Sequence, residues 1–303
     1  MKFELTILGS SSATPVYNRN QSAQLLNCND SFYLIDCGEG TQQQLIKYNL
    51  KAAKIDHIFI SHLHGDHFFG LIGLLSSMHL GGRKRTIHIY CPEPLKEILD
   101  IQFKYSETLL NFPIQYHFTH TDKPEVILKN QDIEVETIIL NHRIPCTGFK
   151  FSQVKRLRKL IIEKLEADHI GKEYYHLIKR NKEVILPDGR IIKNEDYTID
   201  SPRPRSYAYC SDTMFDTKYF NSIKHCDTLY HECTFLHELL ERALSTHHTT
   251  ALQAGEVAKI NEVGKLIIGH FSSRYKVLQP LLDEAASIFE NTELAKEGAI
   301  YQL

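Results

Sequence analysis

The chain has 303 residues, 42% of them hydrophobic, enough to bury a sizeable core, and a formal net charge of -2 at pH 7 that neither indicates nor excludes a nucleic-acid partner. Seven cysteines without a C-x-x-C pair argue against a disulfide framework, and neither a signal-peptide pattern nor an apolar run of membrane-spanning length occurs. We therefore expect a cytoplasmic protein without membrane contact.

Short apolar segments separated by polar turns predict a sheet in the first half of the chain. Strands are predicted at residues 3–8, 22–26, 32–36, 57–61, 86–90, 114–118 and 133–140. Helices are predicted at residues 41–48, 68–75 and 94–109. Loops at residues 9–12 and 36–40 follow strands directly, which is where loops reach toward a functional site.

The sequence changes character between residues 152 and 205. Helical spacing of Lys, Arg, Leu, Ile and Glu predicts a helix over residues 152–168, and residues 183–192 predict a hairpin around Asp188-Gly189. This segment carries 13 Lys/Arg and 9 Asp/Glu, whereas the rest carries 22 and 28. A contact with a polyanion and a solvated helical face are both compatible with that charge. We expect residues 152–205 to form an inserted arm rather than a second globular domain.

After the arm, short apolar segments again predict strands at residues 207–212, 228–231 and 265–270. Strands thus occur in groups at both ends of the chain with helices between them. This order predicts an α/β protein in which two sheets are covered by helices, an αββα sandwich spanning residues 1–303 with the arm inserted.

Four polar residues share one short loop after a predicted strand: His62, His64, Asp66 and His67. Four such ligands so close in sequence cannot easily surround one tetrahedral ion, so the spacing favours two adjacent metal ions. The alternative is a polar loop with incidental histidines. A strand, a glycine-containing loop and a helix start, each in the expected place, argue against it.

Three further candidates follow strands, namely His142, Asp212 and His270. Each alone is more commonly structural. Together with the first loop they supply five imidazoles and two carboxylates, a natural ligand set for two Zn²⁺ ions with one bridging carboxylate. Such a pair of ions activates water and neutralises charge on a phosphate or carbonyl oxygen.

These features resemble the metallo-β-lactamase superfamily and, within it, the short form of the ribonuclease Z family of tRNA 3′-processing endonucleases. The resemblance covers nearly the whole chain. It is carried by residues 8–15, 19–20, 36–42, 61–67, 186–190, 209–213, 231–235, 248–254 and 269–275. The stretches after His248 and Gly269 are more specific to the family than the H-x-H-x-D-H motif.

The resemblance implies a role for each candidate residue. His62, His64 and His142 would hold one zinc, Asp66, His67 and His270 the other, with Asp212 between them. Asp66 would also accept the proton of the attacking water, and His248 would protonate the leaving oxygen. Glu232 either orients His248 or is a structural carboxylate; the following Gln253-Ala254 favours His248 over His247 as the acid.

The implied function is a zinc-dependent endoribonuclease that cleaves precursor tRNA after the discriminator base by attack of a metal-bound hydroxide. The products are a tRNA 3′-hydroxyl and a trailer 5′-phosphate. The resemblance also implies a homodimer and an arm that binds tRNA. The basic residues that could contact the phosphate backbone are Lys155, Arg156, Arg158, Lys159, Lys179, Arg180 and Lys182. Two alternatives stay open: a phosphodiesterase or arylsulfatase acting on small esters, and a non-catalytic tRNA-binding subunit.

Overall fold

The computed structural model describes residues 2–303. The chain divides into two compact units, a body formed by residues 2–152 and 205–303, and an arm formed by residues 153–204. Within residues 2–303 no helix is long and apolar enough to cross a bilayer, since the longest has 12 residues.

The first sheet of the body has seven strands. They are β1 (Phe3–Gly9), β2 (Ala23–Cys28), β3 (Ser31–Ile35), β4 (Ile55–Phe59), β5 (Ile87–Cys91), β6 (Ile114–Phe118) and β18 (Ile300–Gln302). Their order is β18-β1-β2-β3-β4-β5-β6. Pairing is antiparallel from β18 to β3 and parallel from β3 to β6. Four parallel strands therefore end at the same edge of this sheet.

The second sheet repeats this plan. Its strands are β7 (Val126–Lys129), β8 (Ile133–Leu140), β9 (Cys146–Gln153), β14 (Ser206–Cys210), β15 (Thr228–Glu232), β16 (Lys265–Gly269) and β17 (Thr292–Leu294). Their order is β17-β16-β15-β14-β9-β8-β7. The pairs from β14 to β17 are parallel, while β9 and β14 are antiparallel.

The two sheets pack face to face because alternate residues of each strand are apolar. Phe3, Leu5 and Ile7 of β1 all belong to the core shared by the sheets. Across this core Phe59 meets the edge of Phe149, with ring centroids 5.3 Å apart. Burial of each such aromatic side chain contributes about 1.5–3 kcal/mol.

Helices cover the outer faces of both sheets. Those of the body are α1 (Thr41–Lys47), α2 (Gly65–Phe68), α3 (Leu71–Leu80), α4 (Pro94–Tyr105), α8 (Phe220–Ile223), α9 (Leu240–Thr246), α10 (Ala251–Ile260) and α11 (Gln279–Ile288), with 3-10 turns at Ala52–Lys54, Thr217–Tyr219 and His237–Leu239. A capping box between Thr250 and Gln253 begins α10. The predicted αββα sandwich is confirmed.

The arm has a small apolar core of its own. Its elements are β10 (Lys159–Leu160), α5 (Ile162–Ala167), α6 (Tyr175–Ile178), β11 (Glu183–Ile185), β12 (Ile191–Lys193), α7 (Asn194–Tyr197), β13 (Thr198–Ile199) and a 3-10 turn at Lys172–Tyr174. Leu165, Ile178, Val184 and Ile192 are buried together. The predicted hairpin is confirmed by the antiparallel pairing of β11 and β12.

The predicted helix over residues 152–168 is wrong for most of its length, because only Ile162–Ala167 is helical. Lys159 and Leu160 instead pair with β13. The Arg158 guanidinium donates to the Thr198 hydroxyl at 2.6 Å and lies 3.4 Å from Asp200. These contacts outweigh the helix propensity of the Lys, Arg and Leu residues.

Candidate metal centre

All seven predicted ligand residues meet at one edge of the two sheets, just after the ends of strands. His62 and His64 follow β4, Asp66 and His67 lie on α2, and His142, Asp212 and His270 follow β8, β14 and β16. At Gly65, where α2 begins, a Cβ would lie 2.1 Å from the Phe69 ring, so a larger residue there would displace that side chain. His270 has a φ of 60°, a strained backbone conformation of the kind found at functional sites.

The first ligand set consists of His62, His64, His142 and Asp212. Nδ1 of His64 lies 3.1 Å from Nε2 of both His62 and His142. Oδ2 of Asp212 lies 3.6 Å from Nε2 of His62 and 3.7 Å from Nε2 of His142. Ligand atoms bound tetrahedrally at about 2.0–2.2 Å lie about 3.3–3.6 Å apart. The spacing therefore fits a tetrahedral cation.

The second ligand set consists of Asp66, His67 and His270, joined by the other oxygen of Asp212. Oδ2 of Asp66 lies 3.5 Å from Nε2 of both His67 and His270. Oδ1 of Asp212 lies 3.3 and 3.1 Å from the same two nitrogens.

Nε2 of His67 and Nε2 of His270 are both buried without a hydrogen-bond partner among residues 2–303. An unsatisfied buried polar atom costs about 1–3 kcal/mol. A cation shared with Asp212 would satisfy both nitrogens, so the donor set fits a two-metal centre.

Four of the histidines have their second ring nitrogen held by the protein, which fixes the ring orientation. The contacts are His62 Nδ1 with Ser61 Oγ at 3.0 Å, His67 Nδ1 with Asp36 Oδ2 at 2.7 Å, His142 Nδ1 with the His247 carbonyl at 3.0 Å, and His270 Nδ1 with Thr234 Oγ1 at 3.0 Å. Such outer contacts keep the ligand nitrogens pointing into the centre.

Asp36 is a functional residue that the sequence analysis did not single out. Its buried carboxylate accepts hydrogen bonds from the Ser61 backbone N–H at 2.8 Å, the Tyr209 hydroxyl at 2.6 Å and Nδ1 of His67. The available signal was its position directly after a strand in the glycine-containing loop at residues 36–40. Asp36 thus connects the two sheets beneath the metal centre.

Burial and neighbouring carboxylates shift the pKa values of the ligand residues in different directions. Burial lowers the pKa of His62 and of His142, which keeps both imidazoles neutral as metal binding requires. Burial alone would raise the pKa of Asp212, but His270 and His67 hold it well below its usual range. Burial alone would lower the pKa of His67, but Asp212 and Asp66 hold it well above, so metal binding to His67 releases a proton.

His248 lies beside the ligand sets and is paired with a buried carboxylate. Its Nδ1 is 2.8 Å from Oε1 of Glu232, which is fully buried and also accepts from the Thr213 N–H and the Thr234 hydroxyl. Burial works to lower the pKa of His248, but Glu232 raises it to about 9. His248 is therefore protonated at neutral pH, whereas the neighbouring His247 has a different position and supplies its carbonyl to His142.

The centre opens into a cavity of about 500 Å³ lined by Asp66, Asp212, His248 and His270. Three exposed arginines also line it, Arg143, Arg242 and Arg274. Guanidinium groups bind phosphate oxygens well. The mouth of the cavity therefore suits a phosphorylated substrate.

The sequence of the chain is similar to those of known proteins. A family model described as Anti-Pycsar protein Apyc1 matches residues 3–153. A Ribonuclease Z from Cytophaga hutchinsonii is 52% identical over 302 residues, covering 99% of this chain and 96% of the relative. A Ribonuclease Z from Bacteroides fragilis is 41% identical, covering 100% and 99%. The chain belongs to the ribonuclease Z family.

Solved structures agree with this membership. Human tRNase Z, short form, superposes with a TM-score of 0.71 and 26% identity, covering 98% of both chains. The metallo-β-lactamase fold protein YhfI from Bacillus subtilis superposes with a TM-score of 0.69 at 20% identity, covering 99% of both, and supports the fold alone. The family resemblance expected from the sequence is confirmed.

Proposed function

We propose that this chain is a metal-dependent endoribonuclease that removes the 3′ trailer of precursor tRNA. The observation that carries the proposal is the pair of ligand sets sharing Asp212 next to the His248–Glu232 pair, in a chain whose relatives are named Ribonuclease Z. The small-ester alternative is not favoured, because these relatives match along the whole chain. A non-catalytic subunit would not need seven assembled ligand residues.

The residues of the two ligand sets would hold two Zn²⁺ ions per subunit, since imidazole nitrogens and carboxylate oxygens at tetrahedral spacing suit zinc. When bound, such ions lower the pKa of water and offset negative charge on the phosphate. Asp212 would serve both ions, because each of its oxygens faces a different set.

Two side chains would move the protons of the reaction. Asp66, whose Oδ2 lies 3.5 Å from Nε2 of both His67 and His270, would orient the attacking water and accept its proton. The water oxygen bonds to phosphorus, and the bond from phosphorus to the tRNA 3′ oxygen breaks. His248 gives that oxygen a proton from Nε2, because Nδ1 is engaged by Glu232. The tRNA keeps a 3′-hydroxyl and the trailer keeps the 5′-phosphate.

The arm would bind the body of the tRNA. Its support is the excess of basic residues between positions 152 and 205 and an apolar core that holds the arm together. Candidate contacts to phosphate are Lys155, Arg156, Lys159, Lys179, Arg180 and Lys182. Arg158 is engaged with Thr198 and Asp200, so we assign it to the stability of the arm instead.

We also propose a homodimer and a cytoplasmic location. The homodimer is the assembly that the resemblance to the family implies. Among residues 2–303 none of the seven buried cysteines forms a disulfide, as suits a reducing compartment.

The decisive experiment incubates the purified protein and Zn²⁺ with a 5′-labelled precursor tRNA and resolves the products on a sequencing gel. We expect one cut at the end of the mature tRNA, a product 3′-hydroxyl that accepts ligation, and no product after chelation. Hydrolysis of bis(p-nitrophenyl) phosphate without cleavage of the tRNA would contradict the proposal and favour the small-ester alternative.

A further inference from the structure

One carboxylate holds the two ends of the loop formed by residues 10–20. Glu297 lies in the connection from β17 of the second sheet to β18 of the first. Its Oε1 accepts hydrogen bonds from the backbone N–H of Asn20 at 2.6 Å and from the N–H and hydroxyl of Ser10 at 3.3 and 3.4 Å. Its Oε2 accepts from the side-chain amides of Asn20 and Gln44 at 2.8 and 2.7 Å.

The tip of the same loop contacts the second ligand set. The backbone N–H of Ala13 donates to Oδ2 of Asp66 at 2.8 Å. This oxygen is the one that lies 3.5 Å from Nε2 of His67 and of His270. The Ala13 N–H therefore bonds to the Asp66 oxygen that lies next to the other two members of the second ligand set, His67 and His270.

The loop cannot keep this contact by its local sequence alone. Ala13 has a φ of 42°, a conformation that is costly for a residue with a Cβ and persists only when surrounding structure imposes it. The N–H groups of Ser10 and Ser11 both bond to the Asn20 carbonyl at 2.9 Å, which closes the base of the loop. Two side chains outside the loop fix it: Glu297 bonds to both sides of that base, and the Gln21 amide donates to the Ala13 carbonyl at 2.6 Å.

We propose that Glu297 is a positioning residue for the metal centre. By tying Ser10 to Asn20 it fixes the Ala13 N–H against Asp66, and so orients the carboxylate toward the second ligand set. The inference rests on the proposed role of Asp66 as a metal ligand. It does not depend on which phosphodiester is the substrate.

The test compares Glu297→Ala and Glu297→Gln with Glu293→Ala as a matched control. Glu293 is an exposed carboxylate four residues earlier, paired with Lys265 at 2.9 Å. The zinc-loaded proteins are dialysed against graded concentrations of a chelator, and the zinc-to-protein ratio is measured by elemental analysis. Precursor-tRNA cleavage is measured in parallel as kcat and KM.

For Glu297→Ala we expect one of the two zinc ions to be lost at about tenfold lower chelator concentration, the low end of the effect of outer-shell contacts. We expect kcat to fall about tenfold with KM within about twofold, because the arm and the cavity arginines are untouched. Glu297→Gln should lie between Glu297→Ala and wild type, and Glu293→Ala should match wild type.

Two results would overturn the proposal: wild-type zinc retention in both Glu297 variants, or a lower melting temperature with unchanged zinc retention and kcat. If Glu297→Ala does not fold, Asn20→Ala removes one donor from the same carboxylate. Its effect on zinc retention should be less than additive with Glu297→Gln. If wild type binds two zinc ions but does not cleave precursor tRNA, the proposed function fails while zinc retention still tests Glu297.

Discussion

Nδ1 of His248 lies 2.8 Å from Oε1 of Glu232, and the carboxylate of Glu232 is inaccessible to solvent. The same carboxylate also accepts hydrogen bonds from the Thr213 backbone N–H and the Thr234 hydroxyl. The pair keeps an imidazole charged next to two ligand sets that need neutral imidazoles. Histidine therefore serves two chemical roles within one cavity, as a member of the ligand sets and as the imidazole paired with Glu232.

The first prediction concerns the pH dependence of cleavage. Since the pKa of His248 is raised to about 9, the general acid is protonated below this pH and is lost above it, so kcat should decline as pH rises through about 9. Glu232→Gln removes the charge that raises this pKa, so the decline should begin at lower pH. Single-turnover rates from pH 6 to 10 measure both curves, and coincident curves would contradict the assignment.

Replacement of His248 tests the acid directly. We expect His248→Ala to slow cleavage by roughly 10² to 10⁴, the usual scale for loss of a general acid. The zinc content found by elemental analysis should equal that of wild type. His247→Ala is the matched control and should have a small effect, since its contribution to the centre is a backbone carbonyl. The reverse order of effects would assign the acid to His247.

Removal of the Asp66 side chain separates catalysis from binding. Asp66→Ala should abolish cleavage and weaken binding of the second metal, whereas tRNA affinity in a filter-binding assay should persist because the arm is unchanged. Asp100→Ala, which removes a half-exposed carboxylate paired with Lys96 on α4, serves as the control. Cleavage by Asp66→Ala within tenfold of wild type would refute its assignment as ligand and base.

Deletion of the arm tests how the tRNA is held. Replacement of residues 153–204 by a short Gly/Ser linker should leave two metals bound, because every ligand residue belongs to the body. Precursor-tRNA affinity should fall steeply, and the remaining affinity should depend less on salt than that of wild type, since fewer phosphate contacts release fewer counterions. Unchanged cleavage and salt dependence would exclude the arm as the tRNA-binding element.

The local part of the metal centre was predictable and the distant part was less so. His62, His64, Asp66 and His67 share one turn, so their spacing alone predicted that they lie together, whereas the number of ions they hold stays a prediction. Asp36, by contrast, contacts Tyr209 and His67, which lie in two other segments of the chain. No hydrophobic periodicity in the sequence distinguishes Asp36 from other loop carboxylates.

The same distinction holds for the fold. Strands at residues 114–118 and 133–140 were predicted at their observed bounds, because their apolar residues alternate or run continuously. Strand β7 was missed because it is a four-residue edge strand with no buried side chain. The start of the arm was predicted as a helix because pairing of Lys159 and Leu160 with a strand about 40 residues later leaves no local signal.

The pairing of β1 with β18 sets a time constraint on biosynthesis. Glu4 and Gln302 are partners in this ladder, so β1 cannot complete its pairing until the ribosome has made β18, about 300 residues later. At about 5–20 residues per second, that interval is about 15–60 s. During it one edge of β1 lacks its native partner, and such an edge is open to pairing with other chains. The metal centre, whose last histidine is residue 270, is assembled only late in the same interval.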